Sequence, residues 1–382
     1  MYSIASYGKM IADGVRTASY IEAMRRTIAP GSVVVDLGAG TGIFALVAAQ
    51  LGARRVYAIE VSDAIQVGRD AAAANEYQDR IEFIQAPSVT VTLPEPAQVI
   101  VSDLRGVLPP YQDHIIAITD ARRRLLAPNG VLIPKRDMVH MAPVEAPELY
   151  SEMVEPWQEN GYDLDLRSGR SLVMNSWRKA RASSKQLLAE PKCWATLDYM
   201  SVETPDLQAT VNFSVNRPGT GHGMLLWFDT ILVDGVGFSN GPDAPELIYG
   251  SAFFPWLQPV DLDENDRVTV QLSADHVRND YVWSWKTKVY RGDNSSGVKA
   301  EFKQSTFFGM PWTLSQLRKR SATYVPALNT DGEIEKFILT QMDGRTALDD
   351  IARQLTTRFP NRFVSWVDAL SFASEVSTKY SQ

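Results

Sequence analysis

The chain has 382 residues, 45% of them hydrophobic and 22% charged, which describes an ordinary soluble globular protein of two or three domains. Its formal net charge of −7 argues against broad nucleic-acid binding and favours basic substrates. The single cysteine, Cys193, and four scattered histidines exclude intrachain disulfides and speak against a metal site, while the absence of an apolar run near the roughly 18–20 residues of a spanning helix, and of a signal-peptide layout at Met1-Tyr2-Ser3-Ile4-Ala5, leaves a cytoplasmic protein without a membrane partner as the expectation.

Residues 1–30 read as helix, with Ile11, Val15 and the Tyr20-Ile21 pair at helical spacing. From Gly31 to about Pro134, strands over 32–37, 55–60, 81–85, 98–102 and 130–133 alternate with helices over 43–51, 63–76 and 111–126. That alternation predicts a parallel α/β sheet of Rossmann-like type, with ligands at the carboxyl ends of its strands. The first strand runs into Gly38-Ala39-Gly40-Thr41-Gly42, and the second closes on Glu60. Glycines let backbone turn sharply and approach a ligand, and an acid at the second strand end can accept hydrogen bonds from both ribose hydroxyls. A dinucleotide would require G-x-G-x-x-G with pyrophosphate on the next helix. Asp36, two residues before Gly38, is a poor neighbour for pyrophosphate but suits a cation. S-adenosyl-L-methionine, with its sulfonium and ammonium, is the cofactor this turn predicts.

After Pro134 the pattern changes. Residues 146–190 read as a helical, rather polar arm, and 192–303 as short alternating runs broken by glycine, proline and asparagine, an antiparallel β unit. Tyr281, Trp283 and Trp285 share one strand face and are expected to pack the interior. From Thr330 the chain reads as helix again, with Ile334, Phe337, Ile338, Leu348, Ile351, Leu355, Val364, Val367 and Leu370 placed to form a three-helix cluster. The expected domains are 1–134, 135–318 and 319–382.

The run Met10-Ile11-Ala12-Asp13-Gly14-Val15-Arg16-Thr17-Ala18-Ser19-Tyr20, ahead of the glycine turn, resembles the opening helix of the protein arginine methyltransferases. The likeness continues through Ser102-Asp103, Gly161-Tyr162-Asp163 and Gly237-Phe238-Ser239, over roughly residues 5–305. It implies a methyltransferase sheet followed by an antiparallel β-barrel, with a helical arm that makes a homodimer. It further implies that Arg16 grips the methionine carboxylate of the cofactor, as a bidentate guanidinium does well. Met10 would pack near its reacting end, Gly38, Gly40 and Gly42 would admit the nucleoside, and Glu60 would hold the ribose. Ser88 lies where the family contacts adenine, beside Val89 in place of a usual glutamate.

The acceptor half departs from the family. Two glutamates nine residues apart normally clamp the substrate guanidinium, a poor nucleophile because it is protonated and delocalised. Here those positions are Asp103 and the neutral Gln112, with Asp113 beside it. Arg105 adds a positive charge that would repel an arginine unless it pairs with Asp103 or Asp113. Tyr7 replaces an expected histidine, and Glu246-Leu247-Ile248-Tyr249-Gly250 replaces a threonine-histidine-tryptophan loop. Three readings stay open: a non-standard acceptor such as a peptide side chain or small metabolite, favoured here, with Asp103 as base or positioner; a guanidino acceptor held by a clamp rebuilt from Asp103 with Asp113 or Glu246; and a cofactor-binding protein without turnover. Finally, Asp343-Gly344-Arg345-Thr346 before the second C-terminal helix resembles the PqqD-like domains, which implies a leader peptide bound by strand addition to a sheet edge.

Overall fold

The structure, a computed structural model, describes residues 2–158, 162–292 and 297–381. It divides into two compact units, residues 1–311 and 312–382.

The first unit opens with two helices, α1 (Ile4–Ala12) and α2 (Gly14–Thr27), rather than the single helix predicted. Asp13 separates them because its side chain accepts the Arg16 N–H at 3.1 Å and so caps α2. The α/β sheet follows: β1 (Val33–Leu37), α3 (Ile43–Gln50), β2 (Arg55–Glu60), α4 (Ile65–Ala74), β3 (Ile81–Gln85), β4 (Ala97–Ser102), α5 (His114–Arg124) and β5 (Leu126–Ile133). All strand pairs are parallel, in the order β3-β2-β1-β4-β5. Val33, Val34, Val35 and Leu37 are fully buried, as a strand covered by helices on both faces requires. The order reverses between β1 and β4, so the turn after β1, the end of β2 and the end of β4 meet at one crevice.

Strand β6 (Arg136–Val144) begins the second layer system. Among its described residues the arm carries the α-helices α6 (Pro147–Gln158) and α7 (Arg167–Val173); Gly161, part of the arm motif, lies outside the described residues. Helix does not continue to residue 190, because β7 (Arg178–Ala180) pairs with residues 251–253 of β12 (Ser251–Leu262). The remaining strands are β8 (Lys192–Asp198), β9 (Leu207–Ser214), β10 (Gly219–Val233), β11 (Val236–Ser239), β13 (Arg267–Val277), β14 (Asp280–Tyr290) and β15 (Val298–Ser305). They make two antiparallel sheets, β7-β12-β10-β6-β8 with β11 on β10, and β15-β14-β13-β9. A barrel-like core forms between them. Tyr281, Trp283 and Trp285 face inward at 8%, 2% and 2% exposure, as their spacing predicts, against Phe254 and Trp194.

The second unit contains α8 (Leu314–Lys319), α9 (Thr330–Gln341), α10 (Leu348–Arg358) and α11 (Trp366–Tyr380). This unit spans residues 312–382; α8 carries its own capping box at Thr313, and Arg320 lies 3.9 Å from the Trp312 ring. Ile334, Ile338, Ile351 and Leu355 form its core as expected, but Val364 and Val367 are exposed. Phe363, Ala369, Ala373 and Val376 are buried instead, with the expected Leu370 packed against them. Among its described residues this unit holds no strand, so the predicted strand addition of a leader peptide has no sheet edge to use. Among the described residues, no helix is long and apolar enough to cross a membrane, and no group of three or more His, Cys, Asp or Glu could hold a metal ion.

Candidate active site

The floor of the crevice is built from backbone. Gly38, Gly40 and Gly42 all have positive φ (76°, 54° and 78°), a region where a side chain is strained. A Cβ on Gly40 would lie 2.5 Å from the Tyr7 ring, and one on Gly38 would collide with Leu104. The main chain therefore approaches its neighbours more closely than any other residue allows. Glu60, at the end of β2, accepts N–H groups from Gly40 and Ser62, each at 2.9 Å, which fixes its carboxylate beside the turn. Asp36 accepts the Ala45 N–H at 2.9 Å and is 1% exposed. Burial, helped by the neighbouring Glu60 charge, pushes its carboxyl up to about 7. A cation placed there would restore the ionised form. The donor set thus fits a nucleoside bearing a positive centre.

The wall above is built from side chains. Asp103, just past β4, is 5% exposed and its two oxygens are both engaged. Arg16 brings Nε and Nη2 to Oδ2, each at 2.5 Å, and Tyr249 donates its hydroxyl to the same oxygen at 2.5 Å. Arg105 brings Nε and Nη2 to Oδ1 at 3.1 and 3.0 Å. Burial alone would raise the Asp103 carboxyl, but Arg16, Arg105 and Tyr249 outweigh it and hold it at about 2. Burial and the Asp103 charge raise the Tyr249 phenol above its ordinary range, so it stays a donor.

Several of these groups come from distant elements held by specific bonds. Asp13 caps α2 with one oxygen and accepts the Ile248 N–H at 2.7 Å with the other, tying the helix of Arg16 to the loop of Tyr249. Asn240 donates to the Gly250 and Val107 carbonyls at 2.5 and 3.3 Å, joining that loop to the Asp103 segment. Arg16 also donates through Nη1 to the Met10 carbonyl at 3.2 Å, which brings half-buried Met10 to the site's edge. Ser88 lies in a single 3₁₀ turn after β3, where its carbonyl accepts from Arg124 at 2.9 Å.

Gln112 and Asp113 do not join Asp103. Exposed Gln112 has φ of 44° and donates to the Tyr111 hydroxyl at 3.2 Å. The Asp113 side chain is 56% exposed and pairs with His276 Nε2 at 2.9 Å. Glu246 is 78% exposed and pairs with Arg181. The expected clamp of Asp103 with Asp113 or Glu246 is not formed, because these exposed acids are turned to His276 and Arg181 instead. Arg105 pairs with Asp103 as one alternative foresaw, and its other partner is Asp137. Sequence reasoning missed Tyr249, Asp137, Tyr20 and Asn240. Asp137 left a signal: on β6 it alternates with inward-facing Val139 and Met141, so a buried acid in need of a partner was implied.

Residues 15–151 match the family of ribosomal protein L11 methyltransferase, and residues 135–289 match the arginine methyltransferase oligomerization subdomain. A probable histone-arginine methyltransferase 1.3 of Arabidopsis thaliana is 27% identical over 378 residues, 92% of this chain and 69% of that protein. A probable histone-arginine methyltransferase CARM1 of Oryza sativa subsp. indica is 33% identical over 235 residues, 58% of this chain and 44% of that protein. A probable protein arginine N-methyltransferase 6 of Arabidopsis thaliana is 29% identical, and the match spans 56% of its length. The chain thus spans about half to two-thirds of the curated relatives it matches. Among solved structures, the Trypanosoma brucei PRMT1 enzyme–prozyme heterotetrameric complex with AdoHcy superposes with a TM-score of 0.71 at 21% identity, over 78% of this chain and 96% of that one. Arabidopsis thaliana protein arginine methyltransferase 10 gives 0.69 at 20% identity, over 79% and 97%. The fold is that of the arginine methyltransferases.

Proposed function

We propose that this chain, whose residues 15–289 carry a methyltransferase domain joined to an arginine methyltransferase oligomerization subdomain, transfers a methyl group from S-adenosyl-L-methionine to a nitrogen of a guanidino group. The observation that carries this reading is the juxtaposition of the glycine cradle and Glu60 with a buried carboxylate, Asp103, at the end of the next strand across the switch point. When bound, the donor supplies an electrophilic methyl carbon on a sulfonium. Glu60, held by two amides, would accept the ribose hydroxyls; Asp36 and the glycine turn would meet the cationic end, Ser88 the adenine and Met10 the sulfur side. Arg16 would take the methionine carboxylate and so free Asp103 Oδ2, which it otherwise occupies. In the free protein Arg16, Arg105 and Tyr249 hold Asp103 at about 2, and with Arg105 still on Oδ1 its carboxylate would act by orienting the acceptor and localising its charge. The relatives named for arginine methylation support the guanidino acceptor over a non-standard one.

One observation favours the second reading, a neutral acceptor such as a peptide amide or hydroxyl: Asp103 already faces two arginines, and Gln112 brings no second charge. The arm of α6 and α7 is the candidate contact for a second copy. Incubation with methyl-labelled donor, arginine peptides, free arginine and peptides lacking arginine, followed by mass spectrometry, tests the assignment. A methyl group on a guanidino nitrogen is expected. Label only on an amide or hydroxyl would replace it with the second reading.

A further inference from the structure

Arg105 faces Asp103 Oδ1 from inside the protein, opposite the oxygen that Arg16 holds. Its side chain is fully buried. Nη1 donates to Asp137 Oδ1 and to Thr230 Oγ1, both at 2.9 Å, and Nη2 donates to the Tyr20 hydroxyl at 2.5 Å. Asp137 is itself 0% exposed and accepts the Tyr199 hydroxyl at 2.6 Å. The guanidinium lies 5.2 Å from the Phe228 ring and 5.6 Å from those of Phe238 and Tyr249. A cation boxed by rings and tied to a buried carboxylate is held in place, since leaving would strand Asp137 unpaired. Arg16 is also buried and lies over the Tyr20 and Phe44 rings, but its partners besides Asp103 are uncharged, the Tyr249 hydroxyl and the Met10 carbonyl, so an incoming carboxylate can draw it from Asp103 without stranding a second acid. After that exchange, Asp103 Oδ1 is still filled by Arg105, and only Oδ2, shared with Tyr249, is open to an acceptor.

We propose that Arg105 is a positioning residue for Asp103 that also sets acceptor preference: by occupying Oδ1 it fixes the carboxylate plane, leaves the acceptor a single oxygen, and weakens the pull on a cationic acceptor. The inference rests on the guanidino reading and deepens it. A guanidinium then docks end-on through one N–H rather than as a two-pronged fork, and a neutral acceptor of similar shape suffers less from the nearby positive charge.

The test uses the full chain loaded with S-adenosylhomocysteine and a matched pair of peptides, one with arginine and one with its neutral ureido isostere citrulline. Binding is measured by calorimetry for wild type, Arg105→Lys, and the double variant Arg105→Met with Asp137→Asn, which avoids an unpaired buried acid. In the double variant the arginine peptide is expected to bind tighter by on the order of tenfold while the citrulline peptide is unchanged. Its kcat is expected to fall, because Asp103 is no longer held. Arg105→Lys keeps the charge without the fork, so the arginine-to-citrulline affinity ratio should stay as in wild type while kcat falls. A folded double variant with the wild-type affinity ratio, or with weaker arginine binding, overturns the proposal. Absence of any guanidino methylation by wild type would instead remove the guanidino reading, and the affinity ratio would still decide the role of Arg105.

Discussion

The two sides of the crevice are held together by different means. The cofactor floor lies within residues 36–62, where Glu60 and Asp36 are fixed by the backbone N–H groups of Gly40, Ser62 and Ala45. The acceptor wall gathers residues 16, 103, 105, 137, 230 and 249, fixed almost wholly by side chains meeting side chains. A backbone-built site needs its turn glycines but tolerates change in the side chains around it, because amide N–H groups do the holding. A site built from side chains changes whenever one partner does, and it can be remade for another acceptor while the floor stays intact.

Removing the carboxylate of the wall should break it most completely. Asp103→Asn leaves Arg16, Arg105 and Tyr249 around a neutral group, and turnover is expected to fall by on the order of a hundredfold or more. Cofactor affinity should hold or rise, since Arg16 is freed. Steady-state rates paired with calorimetry separate the two, and turnover at the wild-type level would remove Asp103 from the mechanism. Arg16→Ala should act on the other side of the comparison. It takes away a charge-assisted contact to the donor's carboxylate, and the dissociation constant is expected to rise on the order of thirtyfold. Equal heats of binding in wild type and variant would show that Arg16 serves only Asp103.

Acid should weaken the floor before it touches the wall. In the free protein the Asp36 carboxyl sits at about 7, whereas Asp103 is held at about 2. A bound cation favours ionised Asp36, so binding releases a proton at and below neutral pH. Affinity for S-adenosylmethionine is then full above pH 8 and declines as pH falls through 7, by about tenfold at pH 6. Asp36→Asn should flatten that dependence. A dissociation constant constant from pH 6 to 8 in wild type would place the cation away from Asp36.

The same contrast explains how much could be read from the residues alone. The glycine turn, Glu60 and the alternating strands were legible because their meaning is local: an apolar β-branched run, a turn needing positive φ and an acid at a strand end all sit within thirty residues. Of the wall, Asp103, Arg105 and Arg16 were legible, Arg16 only for the cofactor carboxylate. Tyr249 reaches Asp103 from 146 positions away, and no period or spacing encodes that contact. Proximity in sequence misled at Gln112 and Asp113, where the positive φ of Gln112 turns the chain outward before α5. In the second unit, helical spacing identified the helices, but it did not separate buried Phe363 from exposed Val364.

Gln112 and Asp113 give the smallest expected effect and the sharpest check on where the wall ends. Neither touches Asp103; one bonds Tyr111, the other His276 on β13. Gln112→Ala should leave turnover and cofactor affinity within about twofold. Asp113→Asn breaks a half-exposed pair worth at most about 1 kcal/mol, so a melting shift of a few degrees or less is expected with turnover little altered. Should Gln112→Ala instead lower the rate by a hundredfold, the loop must fold inward when the acceptor arrives, and the second clamp position would return to the site as a neutral hydrogen-bonding partner of Asp103.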